Sequence, residues 1–162
     1  MKNIPNAFQK LLHRFLMVRP VSAFLSVALH RMDTMILKFT KGKHTLAALV
    51  GLPIIQITTI GAKTGRSYSL PLVGLIDGEK IGLIASSFGR QHNPGWYYNL
   101  KAHPQCTVQI NGRSAEYIAH QVEGEEYEKY WSMAVSYYKG YELYKVRVAH
   151  RQILVMILVP AK

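Results

Sequence analysis

"IIQITTIGAKTGRSYSLPLVGLIDGEKIGLIAS", residues 54–86, decides the fold. Its first seven positions are rich in isoleucine and threonine, β-branched residues that suit a pleated strand, so a strand is predicted at 54–60. Two glycines, an alanine, a lysine, a threonine and an arginine then fill the six positions 61–66, which read as a turn. Alternation resumes in a second strand near 68–76. Asp77-Gly78, between two apolar runs, marks a hairpin into a third strand at 80–86.

Working outward, "QCTVQI" (105–110), Asn111-Gly112 and "RSAEYIAHQV" (113–122) give a second hairpin with favoured two-residue turn chemistry. Between the hairpins, "HNPGWYYNLKA" (92–102) predicts a helix of about two turns with Asn93 as its cap and Pro94 in its first turn. Residues 123–139 carry Tyr127, Tyr130, Trp131, Ala134 and Tyr138 at helical spacing, and "ILVMILV" (153–159) reads as a buried strand. Upstream, helices over 6–18 and 21–40 are separated by Pro20 and stopped near Gly42. This order predicts a mainly β fold with flanking helices (α+β), a closed or partly closed antiparallel barrel. A basic helical segment (1–43) would precede a barrel at 44–162. The chain's 162 residues suit one globular domain overall.

Charge narrows the partners. The formal net charge is +11, and residues 1–43 hold eight Lys/Arg against one acid, Asp33. Nucleic acid is not expected, because no zinc-finger spacing, ribonucleoprotein aromatic signature or helix-turn-helix is present. In "NAFQKLLHRFLMV" (6–18), Phe8, Leu11, Leu12, Phe15 and Leu16 share one helical side and Lys10 and Arg14 another. That pattern fits contact with an anionic membrane surface and fits equally a helix docked on its own domain. The longest stretch without Lys, Arg, Asp or Glu, 44–62, is interrupted by Gly51-Leu52-Pro53 and ends in β-branched residues, which argues for a strand rather than a span. No signal-peptide pattern is seen, so a cytoplasmic protein is expected, with peripheral contact on the inner face of the membrane as its variant. The single cysteine, Cys106, reads as a buried strand residue.

The turn at 61–66 admits two readings. A plain hairpin connection accounts for Gly61 and Gly65 but gives Lys63, Thr64 and Arg66 no task beyond solubility. An anion site uses all five: glycines let backbone N–H groups approach, Lys63 and Arg66 neutralise, and Thr64 offers a hydroxyl. A second stretch, "ASSFGRQHNPGWYYNLKAHP" (85–104), places Ser86 and Ser87 at a strand end before a helix start. Trp96 and Tyr97 there, and Tyr138, Tyr141 and Tyr144 in "YYKGYELY" (137–144), also fit plain core packing. The seven histidines are scattered, and no metal site, catalytic triad or matched carboxylate pair is expected.

Taken together, "TTIGAKTGRSYSLPL", "ASSFGRQHNPGWYYNLKAHP" and the downstream tyrosines resemble the deazaflavin-dependent nitroreductase family, split antiparallel β-barrels like the FMN-binding proteins, over roughly residues 45–160. The resemblance implies an enzyme transferring a hydride from reduced coenzyme F420 to a quinone, menaquinone in particular, or to a nitroaromatic or other activated acceptor. It matches Lys63 to the residue that contacts the coenzyme phosphate and Gly61, Thr64 and Gly65 to the turn around it. The family often has an arginine at the place of Tyr68; here Arg66 offers the charge two residues earlier. Pro71 is implied to line the coenzyme site and Val73 the substrate site. Ala85, Ser86 and Ser87 match the strand end beside the deazaflavin ring, and Asn93, Trp96, Asn99 and Lys101 the helix over the coenzyme. Tyr138, Tyr141, Tyr144 and Ser86 are implied substrate contacts, with Tyr141 and Ser86 placed to hydrogen-bond the acceptor. The charge on the coenzyme's phosphodiester and glutamate tail also suits Lys43 or Arg90. Two rivals stand beside this: an FMN- or haem-binding oxidoreductase on the same barrel, and a basic binding module without redox chemistry.

Overall fold

The structure, a computed structural model, describes residues 52–161. The helices expected at 6–18 and 21–40, the basic segment 1–43 and Lys43 lie outside the described residues. Seven strands form one antiparallel sheet: β1 (Ile54–Ile60), β2 (Ser67–Val73), β3 (Leu75–Asp77), β4 (Lys80–Ile84), β5 (Gln105–Ile110), β6 (Arg113–Val122) and β7 (Val155–Pro160). Among the described residues three α-helices accompany them: α1 (Gly95–Ala102), α2 (Gly124–Tyr137) and α3 (Gly140–Arg147).

The strand order, β2-β1-β5-β6-β7-β4-β3, forces the sheet to roll. β2 and β3 are opposite edges, yet only Gly74 separates them in the chain. Seven flat strands would set those edges about 29 Å apart, whereas two peptide units reach only about 7.6 Å. The edges therefore meet, and the sheet closes on itself as a partly closed barrel. Gly74 N–H is tied to Pro53 O at 2.9 Å at the joint.

Side-chain alternation then sorts the core. Ile55, Ile57, Ile81, Leu83, Val108, Ala119, Met156 and Leu158 form one buried cluster with Trp96, Tyr97 and Leu100 of α1. Ile84, Val122, Val155 and Ile157 face the other way, against Tyr127, Tyr130, Trp131 and Ala134 of α2 and the tyrosines of α3. β7 is buried on both faces, which is why its sequence is an unbroken apolar run.

Several boundaries differ from those expected. The strand near 68–76 is broken at Gly74 because its halves belong to opposite edges. Asp77 pairs with Lys80, so the loop of that hairpin is Gly78-Glu79, one position later than Asp77-Gly78. The strand expected to reach residue 86 ends at Ile84. Asn93 does not cap α1; Pro94 occupies that position, and the Asn93 side chain is held elsewhere. The helix read over 123–139 ends at Tyr137, Tyr138 is extended, and Tyr141 and Tyr144 lie on a separate helix, α3.

Gly82 carries a stability prediction. Tyr130 is fully buried, and a Cβ on Gly82 would overlap its ring. The ring cannot swing away without also breaking the bond from its hydroxyl to Asp77 Oδ2 at 3.1 Å. Gly82→Ala is expected to destabilise the fold by about 1–3 kcal/mol, read as a lower denaturant midpoint at unchanged slope. An unchanged midpoint would show that the core yields there.

Candidate active site

The turn at 61–66 uses up most of its own donors. Gly61 N–H donates to Arg66 O (2.8 Å) and Gly65 N–H to Gly61 O (2.9 Å). Arg66 N–H donates to Thr64 Oγ1 at 3.3 Å. Ala62 N–H donates to Asn99 Oδ1 at 3.0 Å. The same Asn99 amide donates through Nδ2 to Thr59 Oγ1 at 3.1 Å, and Thr59 is buried. Asn99 of α1 therefore pins the turn to the barrel end. Tyr68 braces it from the other side: its hydroxyl lies 3.1 Å from Thr64 Oγ1, and its ring lies so close over Gly61 that a Cβ there would come within 2.6 Å of it.

What the turn leaves over is the informative part. The N–H groups of Lys63 and Thr64 and the cationic heads of Lys63 and Arg66 have no partner among the described residues. Two N–H donors and two positive charges on one exposed turn are the donor set of an anion cradle.

From this turn β2 runs as a track. Ser69, Pro71 and Val73 alternate onto one side of it while Leu70 and Leu72 pack on the barrel core. Proline is tolerated because β2 is an edge strand. Seven residues at about 3.4 Å each carry the track roughly 20 Å from Ser67 to Val73. There Val73 packs against the cluster that includes Tyr138, Tyr141 and Tyr144.

A second wall follows β4. Ser87 and Phe88 have φ of 50° and 56°, left-handed backbone at two non-glycine residues in succession, which costs about 1–3 kcal/mol each. The turn is held by Arg151, which no sequence pattern singled out. Its guanidinium donates to Ser86 O (3.0 Å), Ala85 O (3.3 Å), Arg90 O through both Nε (3.1 Å) and Nη2 (3.0 Å), and Asn93 Oδ1 (2.8 Å). Burial lowers the Arg151 pKa from its ordinary value. Of the expected residues, Ala85, Ser86 and Asn93 are brought together by this guanidinium, and Ser87 follows in the turn without a bond to it. The side-chain hydroxyls of Ser86 and Ser87 make no hydrogen bond among the described residues.

Trp96 and Lys101 stand differently. Trp96 is 6% exposed and belongs to the barrel core. Lys101 lies over the Tyr97 ring, 5.9 Å from its centroid.

The three tyrosines meet edge to face. Ring centroids are 5.9 Å apart for Tyr138–Tyr141 and 6.0 Å for Tyr141–Tyr144, and Phe88 of the left-handed turn stands 6.3 Å from Tyr144. All three are buried, and burial pushes their hydroxyl pKa values up. They stay protonated at neutral pH. The Tyr138 and Tyr144 hydroxyls interact with each other, whereas the Tyr141 hydroxyl has no partner among the described residues. Elsewhere, burial pushes the Cys106 thiol up to about 12, so it is inert as the strand reading expects. The described residues contain no group of His, Cys, Asp and Glu able to hold a metal ion.

The sequence and the fold match known proteins. A family model described as F420H(2)-dependent quinone reductase matches residues 29–160. An F420H(2)-dependent quinone reductase of Mycobacterium tuberculosis (strain ATCC 25618 / H37Rv) is 28% identical over 111 residues, covering 67% of this chain and 74% of its own. A solved F420-H2 dependent reductase (FDR-A) is 36% identical with a TM-score of 0.60, over 65% of this chain and 93% of its own. HutZ, the haem storage protein of Vibrio cholerae, is 14% identical with a TM-score of 0.51, over 68% of this chain and 82% of its own, a likeness of fold alone. The split barrel is therefore shared more widely than any one cofactor, while the family match reaches across nearly all the described residues. F420 carries a phosphodiester, and the leftover donors of the 61–66 turn fit such an anion. The chain belongs to the F420H(2)-dependent quinone reductase family, oxidoreductases that draw their electrons from reduced coenzyme F420.

Proposed function

We propose that the chain reduces a menaquinone-like quinone by hydride transfer, with nitroaromatics as adventitious acceptors, and that the coenzyme lies along β2. When bound, the reduced deazaflavin supplies a hydride equivalent in place of single electrons. Lys63, Arg66 and the N–H groups of Lys63 and Thr64 hold its phosphodiester. Asn99 and Tyr68 keep that turn in shape, and Pro71 lines the track. Val73 and the tyrosines form the acceptor's flat wall. Tyr141 and Ser86 offer O–H groups to an acceptor oxygen, stabilising the negative charge that grows there as reduction proceeds. The single observation carrying this reading is the leftover set of donors on the 61–66 turn.

The basic segment 1–43 gives a quinone dissolved in lipid a meeting place, by attraction to an anionic surface. That segment lies outside the described residues; among those described, no helix is long and apolar enough to cross a membrane. One experiment tests both parts: single-turnover oxidation of F420H2, deuterated at its transferable position, by menaquinone carried in vesicles. A primary isotope effect and faster reaction on anionic than on zwitterionic vesicles are expected. Equal rates with labelled and unlabelled coenzyme would remove hydride transfer as the limiting step, and equal rates on the two vesicle types would remove the lipid contact.

A further inference from the structure

We propose that Arg151 is a positioning residue for the reaction, one that sets turnover by clamping the left-handed turn at Ser87–Gly89 and with it the Ser86 wall of the acceptor site. The proposal rests on the reading that Ser86 faces the acceptor.

The clamp is built from carbonyls on both sides of the strained turn. Ala85 O and Ser86 O enter it, Arg90 O leaves it, and all three accept from one guanidinium. The fork's planar donors suit this, because its three nitrogens reach four acceptors spread around the turn, these carbonyls and Asn93 Oδ1, more than the three N–H groups of an ammonium could serve. Nη1 also donates to Asn93 Oδ1 at 2.8 Å, which ties the start of α1 to the same node. The remaining bond, Nη1 to Gln152 O at 3.3 Å, anchors Arg151 to its own backbone. Neither Ser87 nor Phe88 favours its left-handed backbone, so the turn keeps its shape because its surroundings over-determine it. Phe88 then meets Tyr144 edge to face, which joins the clamped turn to the tyrosine wall. By contrast, the 61–66 turn hangs on Asn99 and Tyr68 and shares no hydrogen bond with Arg151. The two halves share α1, through Asn93 before its start and Asn99 within it, but no direct hydrogen bond, so loosening one should disturb the other less.

Arg151→Lys keeps the charge and removes the fork, and Arg151→Ala removes both. Three readouts are taken: hydrogen exchange of the free protein, the dissociation constant of F420, and kcat with a quinone. The Gly89 and Arg90 amides, bonded to Ser86 O and Ser87 O at 3.0 and 3.1 Å, report the turn without any coenzyme. In Arg151→Lys they are expected to exchange at least tenfold faster while amides of β1, β5 and β6 stay protected. The coenzyme dissociation constant should stay within about threefold and kcat fall about tenfold or more. Millimolar guanidinium should restore part of the turnover of Arg151→Ala, a rescue that general destabilisation would not allow. The proposal is overturned if the Gly89 and Arg90 amides stay protected in Arg151→Lys, if they open with kcat unchanged, or if all amides of the barrel open together. Ser86→Ala separates the two readings. A loss of kcat there with Arg151→Lys at wild-type turnover sinks the clamp alone, whereas wild-type kcat in Ser86→Ala sinks the role given to Ser86.

Discussion

Tyr141→Phe is expected to lower kcat for quinone reduction by about 10²–10³-fold, the usual cost of removing one preorganised donor from a developing oxyanion. The ring remains, and with it the edge contacts to Tyr138, Tyr144 and Trp131. No hydrogen bond to a described residue is lost, since among those residues the Tyr141 hydroxyl makes none. Stability should therefore hold and KM for the quinone change little, which makes the variant a clean probe. Tyr144→Phe is the internal control. Its hydroxyl is engaged with Tyr138, so its loss should act on the packing of α3 more than on turnover. Steady-state kinetics with a soluble quinone decide the matter, and an unchanged kcat in Tyr141→Phe would end the donor role.

The second large effect falls on coenzyme binding. Replacing Lys63 and Arg66 together with glutamine is expected to raise the F420 dissociation constant by about ten- to a hundredfold, since charge-assisted bonds to an anion are roughly twice as strong as neutral ones yet both side chains are exposed and screened. The salt dependence should flatten at the same time, because fewer cations then face the linker. kcat at saturating coenzyme should stay near that of the parent, as neither residue reaches the acceptor end of the track. Fluorescence titration at low and moderate salt measures both. Unchanged affinity at low salt would show that the linker lies elsewhere.

The parts of this molecule that were legible in the sequence share a local cause. β1, β5 and β6 were placed to the residue because alternation and two-residue turn chemistry act over a few positions. The break at Gly74 was not legible, since it depends on which edge each half of the strand joins, and that is decided by β4 and β7 far along the chain. The site divides the same way. Gly61, Lys63, Thr64, Gly65 and Arg66 announce a turn by their composition. Asn99 was named as a helix residue over the coenzyme, and its bonds to the turn and to Thr59 carried no signal in the sequence. Arg151 carried no signal: an arginine after a helix looks like solvated surface until the fold brings four distant acceptors to it. Trp96 was open to both readings, and its burial favours packing.

The place of β7 in the sheet has a consequence for synthesis. It follows every other strand in the chain, yet it sits between β6 and β4 with both as partners. Until residues 155–160 have left the ribosome, the nascent chain holds two fragments, β2-β1-β5-β6 and β4-β3, each with an unzipped margin of backbone groups that invites mispairing. Maturation of this protein is thus a race between the arrival of its most hydrophobic strand and the capture of those margins by neighbouring chains.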